Sequence, residues 1–332
     1  MQYVYRNFDG PLYIIPAKTL YNPKAIASLG IELPLSEKYF AAHLPFYPLM
    51  IRFFSPFFGY LKSMLFVNLL STIFLTGFFY FLLKKFKLTK LPFLLSMVFL
   101  FHPKFLIVRS IGAPESLFIF FILLSLFFFE KKNFFLSGVF GGLATMTKSP
   151  GILLFFTYCL TLSEHYLKSK KFNWRWLSII FIPLGLLSVF FLYYLQYGDL
   201  FAYFNSGDNL HLYGLYSVFN FRANWIGTAW LEEVVLYFLI YGLTVVYLYR
   251  LPQRSFFYFS LIFFLAVINV QHRDIPRYSL PIWPMAIIAF EKLFTDKKFL
   301  LVFVFLLPAL YLFAWNFIIY NVMPISNWAP YL

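Results

Sequence analysis

Ser63-Met64-Leu65-Phe66-Val67-Asn68-Leu69-Leu70-Ser71-Thr72-Ile73-Phe74-Leu75-Thr76-Gly77-Phe78-Phe79-Tyr80-Phe81-Leu82-Leu83 runs for 21 residues without a charged side chain, and Lys84-Lys85-Phe86-Lys87-Leu88-Thr89-Lys90 follows it at once. A hydrocarbon core takes about 20 apolar residues to cross as a helix, so the stretch reads as a membrane span with a cationic flank. The rest of the chain has the same character. Of its 332 residues 61% are hydrophobic, 24% aromatic and only 12% charged, against about 25% charged in a soluble domain; the mean hydropathy is +0.75. Barrel-like alternation is absent, which leaves helices as the way to satisfy a backbone in lipid. The expected fold class is all-α: a polytopic integral membrane protein.

Working outward, the apolar pattern predicts ten spans: 63–83, 91–108, 115–129, 134–147, 150–167, 177–195, 232–249, 257–270, 278–290 and 299–320. Residues 1–62, dotted with prolines and aromatics, are expected as an extracytoplasmic, interfacial loop with short helices lying on the membrane surface. Residues 63–332 then form the transmembrane bundle, with a long outer loop at 196–231. The net charge of +14 is distributed in short clusters between apolar segments, which fits a positive-inside bias and not a nucleic-acid surface. The loops at 84–90, 130–133, 168–175, 250–254 and 291–298, with Glu164, hold 15 Lys/Arg and 4 acids; the remainder holds 12 and 9. That asymmetry assigns the first set to the cytoplasm, and the opposite face and both termini to the outside of a plasma (inner) membrane. A chain that starts outside predicts a further helix ahead of Met1. The single cysteine, Cys159, excludes a disulfide framework and a Cys-based metal site. No Walker loop, G-x-G-x-x-G, H-E-x-x-H or serine elbow is present.

The ionisable residues of the outer face are the candidates for chemistry, because a charge near membrane depth costs about 2.5–3.5 kcal/mol on insertion scales and therefore faces a cavity or a partner. Asp9, in Arg6-Asn7-Phe8-Asp9-Gly10-Pro11-Leu12-Tyr13, reads either as a turn residue or as a general base for an acceptor hydroxyl. Glu115 reads as a first-turn carboxylate that complements the helix dipole, or as a second catalytic acid that orients the acceptor or binds a metal. Lys148, at the tip of an apolar hairpin, either snorkels to headgroups or meets an anion such as a lipid-linked phosphate. In Gln271-His272-Arg273-Asp274-Ile275-Pro276-Arg277-Tyr278, Arg273 is expected to pair with Asp274, which leaves Arg277, with His272 and Arg109, as the phosphate-binding candidates. His43, Tyr13 and Tyr47 are candidates for contact with the acceptor.

Several of these segments together resemble one family. Asn7-Phe8-Asp9-Gly10-Pro11-Leu12-Tyr13, His43-Leu44-Pro45-Phe46-Tyr47-Pro48, Ala113-Pro114-Glu115-Ser116-Leu117-Phe118, the Gly138 to Gly151 stretch GVFGGLATMTKSPG, and Arg277-Tyr278-Ser279-Leu280-Pro281 are similar, in order and spacing, to elements of the GT-C glycosyltransferases that use polyprenyl-phosphate sugars. Asn7 to Tyr13 is most like the PIG-V-like GPI-mannosyltransferase branch. The resemblance implies a GT-C-like helical bundle, Asp9 as the base, and an inverting transfer of a hexose, mannose by analogy, from a polyprenyl-phosphate donor to a glycan, lipid or protein acceptor. It also implies a transmembrane helix just before Asp9. A divalent metal is the one cofactor left open, with no residue set assigned to it. The rival reading from the same charges is a transporter or flippase of a lipid-linked sugar, which would be expected to show repeat symmetry and mid-membrane polar residues.

Overall fold

The computed structural model describes every residue except Met1, Phe8, Asp9, Asp208, Asn209, Leu210, Asn224, Ile226, Thr228 and Trp230. The described residues form an all-helical bundle. In chain order the α-helices are α1 (Gln2–Tyr5), α2 (Gly10–Thr19), α3 (Pro23–Ser28), α4 (Phe46–Phe58), α5 (Tyr60–Lys85), α6 (Pro92–Leu100), α7 (Pro103–Val108), α8 (Glu115–Glu130) and α9 (Phe134–Thr147). They continue with α10 (Leu153–Ser169), α11 (Phe181–Tyr197), α12 (Glu232–Leu248), α13 (Arg254–Val267), α14 (Ile275–Tyr278), α15 (Trp283–Ala289), α16 (Glu291–Phe294) and α17 (Lys297–Tyr320).

The middle of the bundle is α8. Its sequence, ESLFIFFILLSLFFFE, is apolar on every side, and such a helix belongs in an interior; nearly all of it is buried, with α5 and α9 packed along it. By contrast α17, equally apolar, buries only Ala314 and Ile318. Its outward residues are lipid-facing surface.

Among the described residues three helical segments are long and apolar enough to cross a membrane: Tyr60–Lys85, Trp174–Tyr197 and Lys297–Tyr320. The other expected spans are shorter or interrupted, and proline explains the clearest breaks. The 91–108 span is two helices, because Pro103 disfavours helical geometry at the preceding residue and His102 instead caps α7 by accepting the Phe105 N–H at 3.4 Å. Pro281 and Pro284 break the 278–290 span: α14 ends at Tyr278, a 3₁₀ turn follows at Leu280–Ile282, and α15 begins at Trp283. Over residues 1–62 the expected short helices are present, but α2 is not a surface helix: every residue in it except Lys18 is buried, against α4 and α5.

Glycine sets the closest helix contact. A Cβ on Gly138 would lie 2.1 Å from the Ser178 carbonyl oxygen, one on Gly142 2.7 Å from that of Phe181, and one on Gly185 2.6 Å from that of Gly142. Small residues let helix backbones meet in this way, and in lipid such packing carries association that hydrophobicity cannot. Gly142→Leu is therefore expected to lower the thermal midpoint in detergent, with an overpacking cost of about 1–3 kcal/mol. An unchanged midpoint would mean that α9 and α11 can separate freely.

The two ends of the bundle differ. At one end the basic loops gather: Glu164 accepts from Arg254 Nε at 2.9 Å and Lys168 Nζ at 2.5 Å, Glu130 from the Ser255 N–H at 3.0 Å, and Glu291 from the Thr89 hydroxyl at 2.8 Å. At the other end, residues 321–332 lie across the start of the chain. Asn7 and Val322 form an antiparallel bridge, the Met323 N–H donates to the Arg6 carbonyl at 2.8 Å, and Lys18 Nζ donates to the carbonyls of Pro330 and Leu332 at 3.0 and 2.8 Å.

Candidate active site

Glu115, Lys148 and Arg277 come from three separate turns and meet on one atom. Pro114 precedes α8 and places Glu115 in its first turn, where a carboxylate complements the helix dipole. α9 ends at Lys148, which is extended, and the following 3₁₀ turn folds Gly151 against Ala144 and Thr145 so closely that a Cβ would lie 2.5 Å from the Thr145 nitrogen. That turn brings Lys148 Nζ to 2.7 Å from Glu115 Oε1. From the third turn, α14 delivers Arg277, whose Nε donates to the same Oε1 at 2.7 Å. The Glu115 side chain is 3% exposed, that of Lys148 29% and that of Arg277 21%. The carboxylate is thus interior and the two cations border the outside. The second oxygen, Oε2, has no hydrogen-bond partner among the described residues.

The turn carrying Arg277 is itself held by a buried ion pair. Lys104 Nζ lies 2.7 Å from Asp274 Oδ1 and 4.2 Å from the Phe317 ring centroid, while the Arg277 N–H donates to the Asp274 carbonyl at 2.9 Å. The expected neighbour pair of Arg273 with Asp274 is not what forms; Lys104 takes Asp274. Lys104→Met is expected to destabilise the fold, toward the low end of the roughly 3–5 kcal/mol for breaking a buried pair, since Asp274 retains 21% side-chain exposure. Chemical unfolding in detergent measures this, and a wild-type midpoint would show the pair to be inert.

His272 accepts the Asp274 N–H on Nδ1 at 2.9 Å, so its ring proton belongs on Nε2. Burial first, and then neighbouring His211, push its pKa down to about 4, against the pull of Asp274. It is therefore neutral at neutral pH and offers an N–H, not a charge. Around it stand His211 at 4.9 Å, Tyr278 at 5.0 Å and Trp225 at 6.4 Å between ring centroids.

Tyr13, His43 and Tyr47 form one aromatic group, with Tyr13 edge-on to His43 at 4.6 Å and to Tyr47 at 5.1 Å. All three are buried. Tyr47 lies within electrostatic reach of Glu115, yet its hydroxyl donates to the Met64 carbonyl at 2.8 Å; it braces the site and presents no surface to an acceptor. Arg109 is not part of the Glu115 cluster. It packs over Phe101 at 5.7 Å, itself against Tyr311 of α17.

Asp9 lies outside the described residues. On either side of Phe8 and Asp9, Asn7 is buried, and the Gly10 N–H donates to the Asn7 carbonyl at 2.9 Å. A Cβ on Gly10 would lie 3.3 Å from the Gly112 carbonyl oxygen, in the turn that leads into Glu115.

Sequence reasoning missed the residues that hold this turn in place. Asn68 donates from Nδ2 to the carbonyls of Val108 and Ile111 at 2.6 and 2.5 Å, and the Thr72 and Ser116 hydroxyls are 2.8 Å apart. Met64, Asn68 and Thr72 recur every fourth residue, one helix face, so the signal stood within the apolar run itself. Also missed was Tyr203 of the 196–231 loop, whose hydroxyl lies 2.8 Å from that of Ser149, next to Lys148. Among the described residues no group of three or more His, Cys, Asp or Glu could hold a metal ion.

No family model matches the chain, and no curated protein matches it. A solved structure does: the crystal structure of ArnT from Cupriavidus metallidurans bound to undecaprenyl phosphate, with a TM-score of 0.63 and 15% sequence identity. The likeness covers 92% of this chain and 60% of that one. At that identity it establishes the fold.

Proposed function

We propose that this protein is an inverting glycosyltransferase that takes a sugar from a polyprenyl-phosphate carrier and passes it to an acceptor hydroxyl at the extracytoplasmic face of the plasma membrane. A hexose, with mannose first, is the donor sugar to try. The single observation that carries the reading is the convergence of Lys148 and Arg277 on one oxygen of Glu115, at the end of the bundle away from the basic loops, in a fold like that of a protein crystallised with undecaprenyl phosphate.

The chemistry follows from the charges. Asp9 removes the acceptor O–H proton as that oxygen attacks the anomeric carbon. The bond from carbon to the phosphate oxygen breaks, its electron pair leaves with the lipid phosphate, and the configuration inverts. Charge grows on the departing phosphate, where fixed cations stabilise the transition state most. Lys148 gives one of its three ammonium N–H groups to Glu115 and keeps two for phosphate oxygens; Arg277 stands beside it. Glu115 acts through these two cations, as a positioning residue. His272 contributes a neutral N–H, and Arg109 is left out of the set.

The reading is tested by reconstituting the protein in lipid nanodiscs with undecaprenyl-phosphate-linked hexoses and measuring release of undecaprenyl phosphate. Release distinguishes transfer from transport, which leaves the donor intact; intact donors across the whole series would sink the proposal. Within it, Lys148→Ala is expected to raise the donor KM about tenfold or more, a loss of roughly 1.5–3 kcal/mol for a charge-assisted hydrogen bond. A change confined to the acceptor KM would remove Lys148 from the phosphate.

A further inference from the structure

We infer that the outer-loop segment Leu212–Phe221 is an interfacial anchor that dips into the outer leaflet of the bilayer along α12. The inference is independent of the reaction proposed above.

The segment reads LYGLYSVFNF and carries no charged residue. Leu212, Tyr213, Leu215, Tyr216, Phe219 and Phe221 all expose large apolar side chains, Phe221 to 76%. Soluble loops do not present so contiguous an apolar patch. It also continues a surface already facing lipid: on α12, Val235, Leu236, Leu239, Leu243 and Val246 are exposed, and α12 flanks the bundle beside α13. The loop reaches down that surface. Tyr216 and Phe219 lie 6.0 and 6.3 Å from Phe238 between ring centroids, and Phe238 is six residues into α12 from Glu232, a descent of about 9 Å at 1.5 Å per residue.

Irregular backbone is tolerated at that depth only when its polar groups are satisfied by protein, and here six of the segment's ten N–H groups donate to protein carbonyls. The N–H groups of Tyr213 and Tyr216 donate to the carbonyls of Asn269 and Ile268 at 3.0 and 2.7 Å. Those of Ser217, Phe219 and Asn220 close turns onto Gly214, Tyr216 and Ser217 at 3.1, 3.0 and 3.0 Å. Tyr213 and Tyr216 suit the headgroup boundary, where aromatic rings with a polar tip concentrate. Just before the segment, the His211 carbonyl accepts the Gln271 N–H at 2.6 Å, next to His272. The anchor therefore fixes the membrane level at the edge of the candidate site.

The test uses the single native cysteine. In a Cys159→Ser background, Leu215→Cys and Phe219→Cys are each labelled with an environment-sensitive fluorophore in nanodiscs. Leu239→Cys on α12 and the exposed Ser28→Cys serve as lipid and water references. At both loop positions the emission is expected to shift to the blue and to be quenched by nitroxide-bearing lipids, as at position 239. Quenching instead by an aqueous nickel chelate, as at position 28, would overturn the inference. So would protection from both quenchers, the outcome if a second copy or another protein covered the segment.

Discussion

Asp9→Asn is expected to lower kcat for transfer from the polyprenyl-phosphate donor by about 10²–10⁴-fold, the range that a positioned general base contributes. The amide keeps the size and hydrogen-bonding outline of the carboxylate but cannot take the acceptor proton, so the loss belongs in kcat, with donor binding and thermal midpoint near wild type. Asn7, two residues earlier, is buried and Gly10 packs against the turn that leads into Glu115, so the isosteric change is the one to make. Single-turnover transfer in nanodiscs, with the thermal midpoint as control, reads the effect. Turnover within a few-fold of wild type would remove Asp9 as the base.

The second large effect is expected at Glu115. Glu115→Gln leaves Lys148 and Arg277 facing a neutral amide at a position 3% exposed, and breaking a buried ion pair from one side costs about 3–5 kcal/mol. The thermal midpoint should fall and the donor KM should rise together, because the two cations no longer have a common anchor. A double variant separates the causes: Glu115→Gln with Lys148→Met removes one of the two orphaned charges as well as the carboxylate, and should be more stable than Glu115→Gln alone. If the double variant is the less stable, charge is not what holds the cluster. Glu115→Asp, which keeps the charge on a shorter arm, should recover stability more fully than activity.

The residues of this cluster were legible in the sequence, because Glu115, Lys148 and Arg277 each stand at or close to the end of an apolar run, where an isolated charge demands a partner. Their membership followed from membrane energetics and loop counting; their geometry did not. A pairing rule based on proximity along the chain gave Asp274 to Arg273, whereas the fold brings Lys104 to it from α7. The helical content is readable from hydropathy, but an apolar average over 91–108 or 278–290 passes straight over Pro103, Pro281 and Pro284. The same averaging hid Asn68 and Thr72, which look like tolerated polar residues in a span until their four-residue spacing is set against the turn they hold. Burial of α2 left the least trace, since its apolar residues run consecutively and give no one-sided pattern, and proline at positions 11 and 16 argues for a loop.

The clasp between residues 321–332 and the start of the chain bears on biosynthesis. Arg6 donates to the Ile325 carbonyl across 319 residues of sequence, so residues 2–7 gain this clasp only once the intervening helices have been made. Until then the start of the chain lacks these contacts, whatever the helices between have already done. A chain cut before residue 321 would then keep its apolar helices and lose what fastens its first turn to them.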